Sequence, residues 1–69
     1  QTELMAQILS LPPNLSQTII MRYYNDMTLD EIADAMNCSR STVKRRLAQG
    51  RLELKSKLGS IKGGVFFEA

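Results

Sequence analysis

The sequence predicts an all-α domain of four helices, and three observations predict it. Apolar residues recur three or four apart in four separate runs, the gaps between the runs hold residues that end or start helices, and no run alternates apolar with polar as a half-buried strand would. The chain has 69 residues, enough for one domain around a small core. Its hydrophobic content of 43% and charged content of 23% suit a folded chain. No apolar run approaches the roughly 18 residues that a membrane span needs.

The first helix is expected to follow Thr2, a suitable N-cap, with Leu4, Met5, Ile8, Leu9 and Leu11 at helical spacing until Pro12 and Pro13 stop it. Pro13 also suits the first turn of a second helix, because its fixed φ is already helical and its missing N–H is not needed there. Leu15, Ile19, Ile20, Tyr23 and Tyr24 continue the period to Asn25-Asp26, which breaks it. This helix is apolar over much of its circumference, so it is expected to be the central element, with Tyr23 and Tyr24 as core aromatics.

Thr28 with Glu31 three residues on reads as a capping box. The third helix then runs about Leu29 to Met36, with Leu29, Ile32, Ala33 and Met36 on its buried stripe. Asp30, Glu31 and Asp34 sit near its positive dipole end, which accounts for them without a metal or a carboxylate pair. Asn37 tolerates the left-handed backbone of a sharp helix exit, and Ser39 is the next N-cap. The fourth helix runs from Arg40 to about Leu58, with Val43, Leu47, Gly50, Leu54 and Leu58 on its core face. A glycine inside a helix costs about 1 kcal/mol relative to alanine. A close crossing or a bend is therefore expected at Gly50, and Gly59 is a natural C-cap. Residues 1–58 form the domain, and 59–69, with Gly63-Gly64 before Val65, Phe66 and Phe67, form a flexible or docking tail.

Chemistry is limited by what the chain lacks. There is no histidine and a single cysteine, Cys38, so the usual zinc sites, general bases and internal disulfides have no residues to draw on. The expectation is a protein that is not an enzyme, needs no cofactor and works in the cytoplasm, with Cys38 a small plug in a turn. The chain begins at Gln1 without an initiator methionine, as expected of a piece of something longer.

Charge is divided unequally. Residues 1–38 hold one cation, Arg22, against five acids, whereas residues 39–69 hold eight cations against two acids. A basic half on a small domain is the footprint of a polyanion binder. The two helices joined at "AMNCS" satisfy the helix-turn-helix pattern: Ala33 lets the backbones approach, Asn37 turns the chain, and Val43 pins the second helix. Arg40, Ser41, Lys44 and Arg45 then project outward from its first turns, with Ala48 and Gln49 one turn on. Such side chains can meet base edges in a major groove. Arg46, Arg51, Lys55 and Lys57 lie on the flanks, suited to phosphates, and Ser39 with the helix amides favours a phosphate at the helix start. Arg46 has an alternative, structural role facing Glu31.

The run "LPPNLSQTIIMRYYNDMTLDEIADAMNCSRSTVKRRLAQGRLELKSKL", Leu11 to Leu58, resembles region 4 of bacterial RNA polymerase sigma factors, most closely the extracytoplasmic-function group. The resemblance rests on Leu11-Pro12, Arg22-Tyr23-Tyr24, Thr28, Glu31-Ile32-Ala33, Ser39, Thr42-Val43-Lys44, Arg46-Leu47 and Arg51, in order and without a gap. Pro13 stands where the family often has an acid, Asp26 where it often has glycine, and Gly50 where it often has alanine. The resemblance implies binding to the −35 element of double-stranded promoter DNA, contact with the β flap of core RNA polymerase, and control by an anti-sigma factor. Carried over residue by residue, it implies that Arg40, Ser41, Lys44 and Arg45 read bases and that Thr28, Ser39, Arg46 and Arg51 anchor phosphates.

Two other readings stand beside this one. A helix-turn-helix regulator output domain would act as a dimer, but no clear dimerisation helix follows the fourth helix. A protein-interaction module would expose apolar anchors where this chain has cations.

Overall fold

A computed structural model of the chain describes residues 2–57. Four helices follow one another: α1 Thr2–Leu9, α2 Pro13–Tyr23, α3 Leu29–Ala35 and α4 Arg40–Lys57. Thr2 is thus the first residue of α1, where the sequence suggested a cap preceding it. Leu58, Gly59 and the tail 59–69, for which a core position, a C-cap and a flexible or docking segment were expected, lie outside the described residues.

Each helix commits at least one side chain that solvent does not reach at all: Ile8 of α1, Ile19 of α2, Ile32 of α3, and Val43 and Leu54 of α4. Leu11, Leu15, Ala33 and Leu47 complete the buried cluster, and Leu4, Ile20, Met21, Met27, Leu29, Met36 and Cys38 pack against its edge. The helical spacing of these positions is what lets short helices share one core, since a helix of this kind buries only a stripe. α2 touches the other three helices, as expected of a central element, but α4 does so as well. The centre of the domain is the α2–α4 contact rather than one helix.

Gly50 explains how that contact is made. A Cβ placed on Gly50 would stand 3.0 Å from Cδ1 and 3.1 Å from Cγ1 of Ile19, so any larger residue would have to push the Ile19 side chain aside for α4 to lie this close to α2. The helix-propensity cost of the glycine is offset by the contact it permits. Two polar residues share the buried side of α2. The Thr18 hydroxyl donates to the Asn14 carbonyl at 2.7 Å and approaches the Met36 sulfur at 3.3 Å, and Ser16 donates to the Pro13 carbonyl at 3.3 Å. Both therefore enter the core without an unmet hydrogen bond.

Three apolar residues depart from expectation. Tyr23 and Tyr24, the last residue and the C-cap of α2, are exposed rather than core aromatics, lying beyond the buried Leu15 and Ile19 of that helix. Leu9, at the end of α1, is exposed too, since Leu4, Ile8 and Leu11 already fill the side of that segment turned to the core.

The loop after α2 is held at both of its backbone faces. Asp26 adopts a left-handed φ of 57°, the Met27 N–H donates to the Met21 carbonyl at 3.0 Å, and Arg22 Nη1 donates to the Met27 carbonyl at 2.8 Å. At α3 the capping box is complete: Thr28 Oγ1 accepts from the Glu31 N–H at 3.1 Å, and Glu31 Oε1 accepts from the Thr28 N–H at 2.8 Å.

Packing makes two predictions. Gly50→Leu drives a branched side chain into Ile19 and lowers stability by about 1–3 kcal/mol in chemical denaturation. Val43→Asp places an unpaired carboxylate in the core of a small domain and abolishes its helical circular dichroism signal at neutral pH; a retained signal would show that Val43 is not buried.

Candidate nucleic-acid interface

The turn between α3 and α4 is a Schellman motif, and every residue in it has a part. Met36 caps α3, Asn37 follows at φ 54°, the Cys38 N–H donates to the Ala33 carbonyl at 2.9 Å, and the Asn37 N–H donates to the Asp34 carbonyl at 3.3 Å. These bonds satisfy the carbonyls that a helix end leaves open. Cys38 is half-buried at the core edge, as expected of a plug. Three residues after Asn37, at Arg40, the next helix begins.

Ser39 starts it. Its Oγ accepts from the Thr42 N–H at 3.1 Å and donates to Thr42 Oγ1 at 3.0 Å. The first turn of α4 contains no acid, whereas that of α3 contains Asp30 and Glu31. The two helix starts are capped by opposite means. A carboxylate takes part in the cap of α3, whereas the cap of α4 is made of neutral hydroxyls and adds no negative charge at that helix's positive end, where an anion is favoured.

Val43 and Leu47 face the core, so the helical period turns the intervening residues outward. Arg40, Ser41, Lys44 and Arg45 are all exposed, together with Ala48 and Gln49 one turn on. Four residues proposed as base readers thus occupy the outer side of the first two turns of an α-helix. Arg40 is exposed but engaged: its Nη1 stands 3.6 Å from Oδ1 of Asp30 in the first turn of α3.

The residues assigned to phosphates divide. Thr28 and Ser39 are exposed at the two helix starts. Arg46 is half-buried with Nη1 at 3.8 Å from Cys38 Sγ, so its structural neighbour is the turn cysteine rather than Glu31, whose carboxylate closes the capping box. Arg51 is half-buried and donates from Nη1 to the Tyr23 hydroxyl at 3.3 Å.

One grouping was not foreseen. Arg22, Tyr23, Lys44 and Arg51 gather around an open pocket of about 390 Å³ whose apolar lining is Leu29 and Leu47. Three cations there come from two helices, and spacing along the chain could not have joined Arg22 to Arg51. The only hint was Arg22 itself, a lone cation in an acidic half. Among the described residues no helix is long and apolar enough to cross a membrane.

Comparison with known families finds a match to the one described as Sigma-70, region 4, over residues 1–54. Comparisons with curated proteins and with solved structures give no match.

The turn supplies its own test. Asn37→Ala forces a side chain with no local hydrogen bond into left-handed backbone and lowers stability by about 1–2 kcal/mol, whereas Asn37→Gly leaves the thermal midpoint unchanged or raises it.

Proposed function

This chain belongs to the sigma-70 region 4 family, and on that premise we propose that it reads the −35 element of promoters by placing the start of α4 in the major groove. Membership makes it a DNA-binding domain of transcription initiation that works with RNA polymerase. The finer reading rests on one observation: the opening turns of α4 present Arg40, Ser41, Lys44 and Arg45 outward from a helix start that carries no acid. Arginine and lysine donate to guanine O6 and N7, and serine can serve either base type. The B-DNA major groove is wide enough to admit a helix.

Phosphates then fix the register. Thr28 and Ser39 stand at helix starts, and Arg51 lies beside Lys44 and Arg22 in the open cationic pocket, where a backbone phosphate meets several cations at once. Arg46 reaches the turn from behind and holds it in shape as well as adding charge. The domain is a binding module without catalytic chemistry, acting in the cytoplasm. Its partners in this reading are double-stranded promoter DNA, the β flap of core polymerase and an anti-sigma factor, and the likeness to the extracytoplasmic-function group in the "RYY", "EIA" and "TVK.RL" segments supports that subgroup. A single small module neutralises few phosphates, so affinity in isolation is weak and falls steeply with salt.

The decisive measurement is duplex binding with base changes at each position of the −35 hexamer. Arg40→Ala and Lys44→Ala each cost about 1–3 kcal/mol on the preferred duplex and relax base choice at one position, while Arg51→Ala weakens all duplexes alike. Unaltered preference in both Arg40→Ala and Lys44→Ala would overturn the assignment. Two copies bound to an inverted repeat would favour the dimeric regulator instead.

A further inference from the structure

We propose that Asp30 determines the sequence preference of this domain by positioning the Arg40 guanidinium, steering it toward a base edge and away from the phosphates. The inference rests on the DNA reading above and extends it to a residue outside the recognition helix.

Asp30 is not required by the cap of its own helix, since Thr28 and Glu31 supply both hydrogen bonds there. Its carboxylate instead reaches across the turn to Arg40, the first residue of α4, with Oδ1 and Nη1 at 3.6 Å. That separation exceeds a tight charge-assisted hydrogen bond, and the two side chains are 58% and 77% exposed, Arg40 and Asp30 respectively. The pair therefore biases the direction of the guanidinium without consuming its remaining donors, of which arginine has five.

Position gives the bias its meaning. Arg40 opens the helix that also carries Lys44, Arg45 and Arg51, so the Asp30 carboxylate stands beside the first cation of a basic helix. An ionised carboxylate there repels phosphates and offers them no donor. A guanidinium at the edge of a duplex has two kinds of acceptor within reach, phosphate oxygens that carry no sequence information and base edges that do. A negative charge beside Arg40 raises the cost of the first more than the second. Non-specific binding is weakened, and discrimination is gained.

The test uses the 69-residue chain, a duplex recovered by selection from a pool with randomised positions, and an unselected duplex of equal length, with binding measured over a range of salt concentrations. Asp30→Asn is expected to tighten binding to the unselected duplex and to narrow the preference for the selected one by roughly two- to fivefold. The slope of log affinity on log salt steepens by about one as Arg40 gains a phosphate. Asp30→Glu retains the wild-type preference, and in an Arg40→Ala background Asp30→Asn no longer changes it. Preference unmoved by Asp30→Asn, or an equal change without Arg40, would overturn the proposal and leave Asp30 as a helix-dipole residue. Failure of the wild-type chain to select any sequence would overturn the DNA reading and this inference together.

Discussion

The close approach of α4 to α2, with Gly50 against Ile19, is the constraint on which the domain depends. Ile19 is fully buried, and a Cβ on Gly50 would come within 3.0 Å of it. That contact sets how deep α4 lies, and the burial of Val43 and Leu47 sets its rotation. Once depth and rotation are set, Arg40, Ser41, Lys44 and Arg45 have nowhere to go but outward. A core of so few residues has little redundancy, so the recognition surface inherits its geometry directly from the packing beneath it.

The second theme is electrostatic economy at helix ends. α3 and α4 both begin on a side-chain cap, but the caps differ in charge: a Glu31 capping box closes the first, and a neutral Ser39–Thr42 hydroxyl pair closes the second. Both satisfy backbone donors. Of the two, only the hydroxyl pair does so without adding negative charge, and so the cap of α4 leaves its positive end better suited to a polyanion than that of α3. The Schellman turn through Asn37 and Cys38 joins the two with its hydrogen bonds made, so the angle between the helices is set by backbone bonding as well as by side-chain packing.

The cations of α4 differ in how much they are free to do. Lys44 and Arg45 are exposed, Arg40 leans on Asp30, Arg51 rests on Tyr23, and Arg46 is drawn to Cys38. A guanidinium has enough donors to keep an internal partner and still meet a phosphate or base, which an ammonium does less readily. Arginine at the supported positions therefore combines scaffold and contact in one side chain.

Much of this was legible in the sequence, because helices advertise themselves locally. The capping box at Thr28 and Glu31, the left-handed Asn37, the Ser39 cap and the stripe of Val43, Leu47, Gly50 and Leu54 depend on residues within a turn or two of each other, and the helical period alone separates core from outward positions. The tertiary structure decided what depends on distant neighbours. Tyr23 and Tyr24 have the right period for burial but remain exposed at the end of α2, Arg22 comes to line one pocket with Lys44 and Arg51 only through the fold, and Arg40 finds Asp30 across a turn. Periodicity tells a residue which side of its own helix it occupies. Whether another element stands on that side, and with what charge, is settled only when the helices pack.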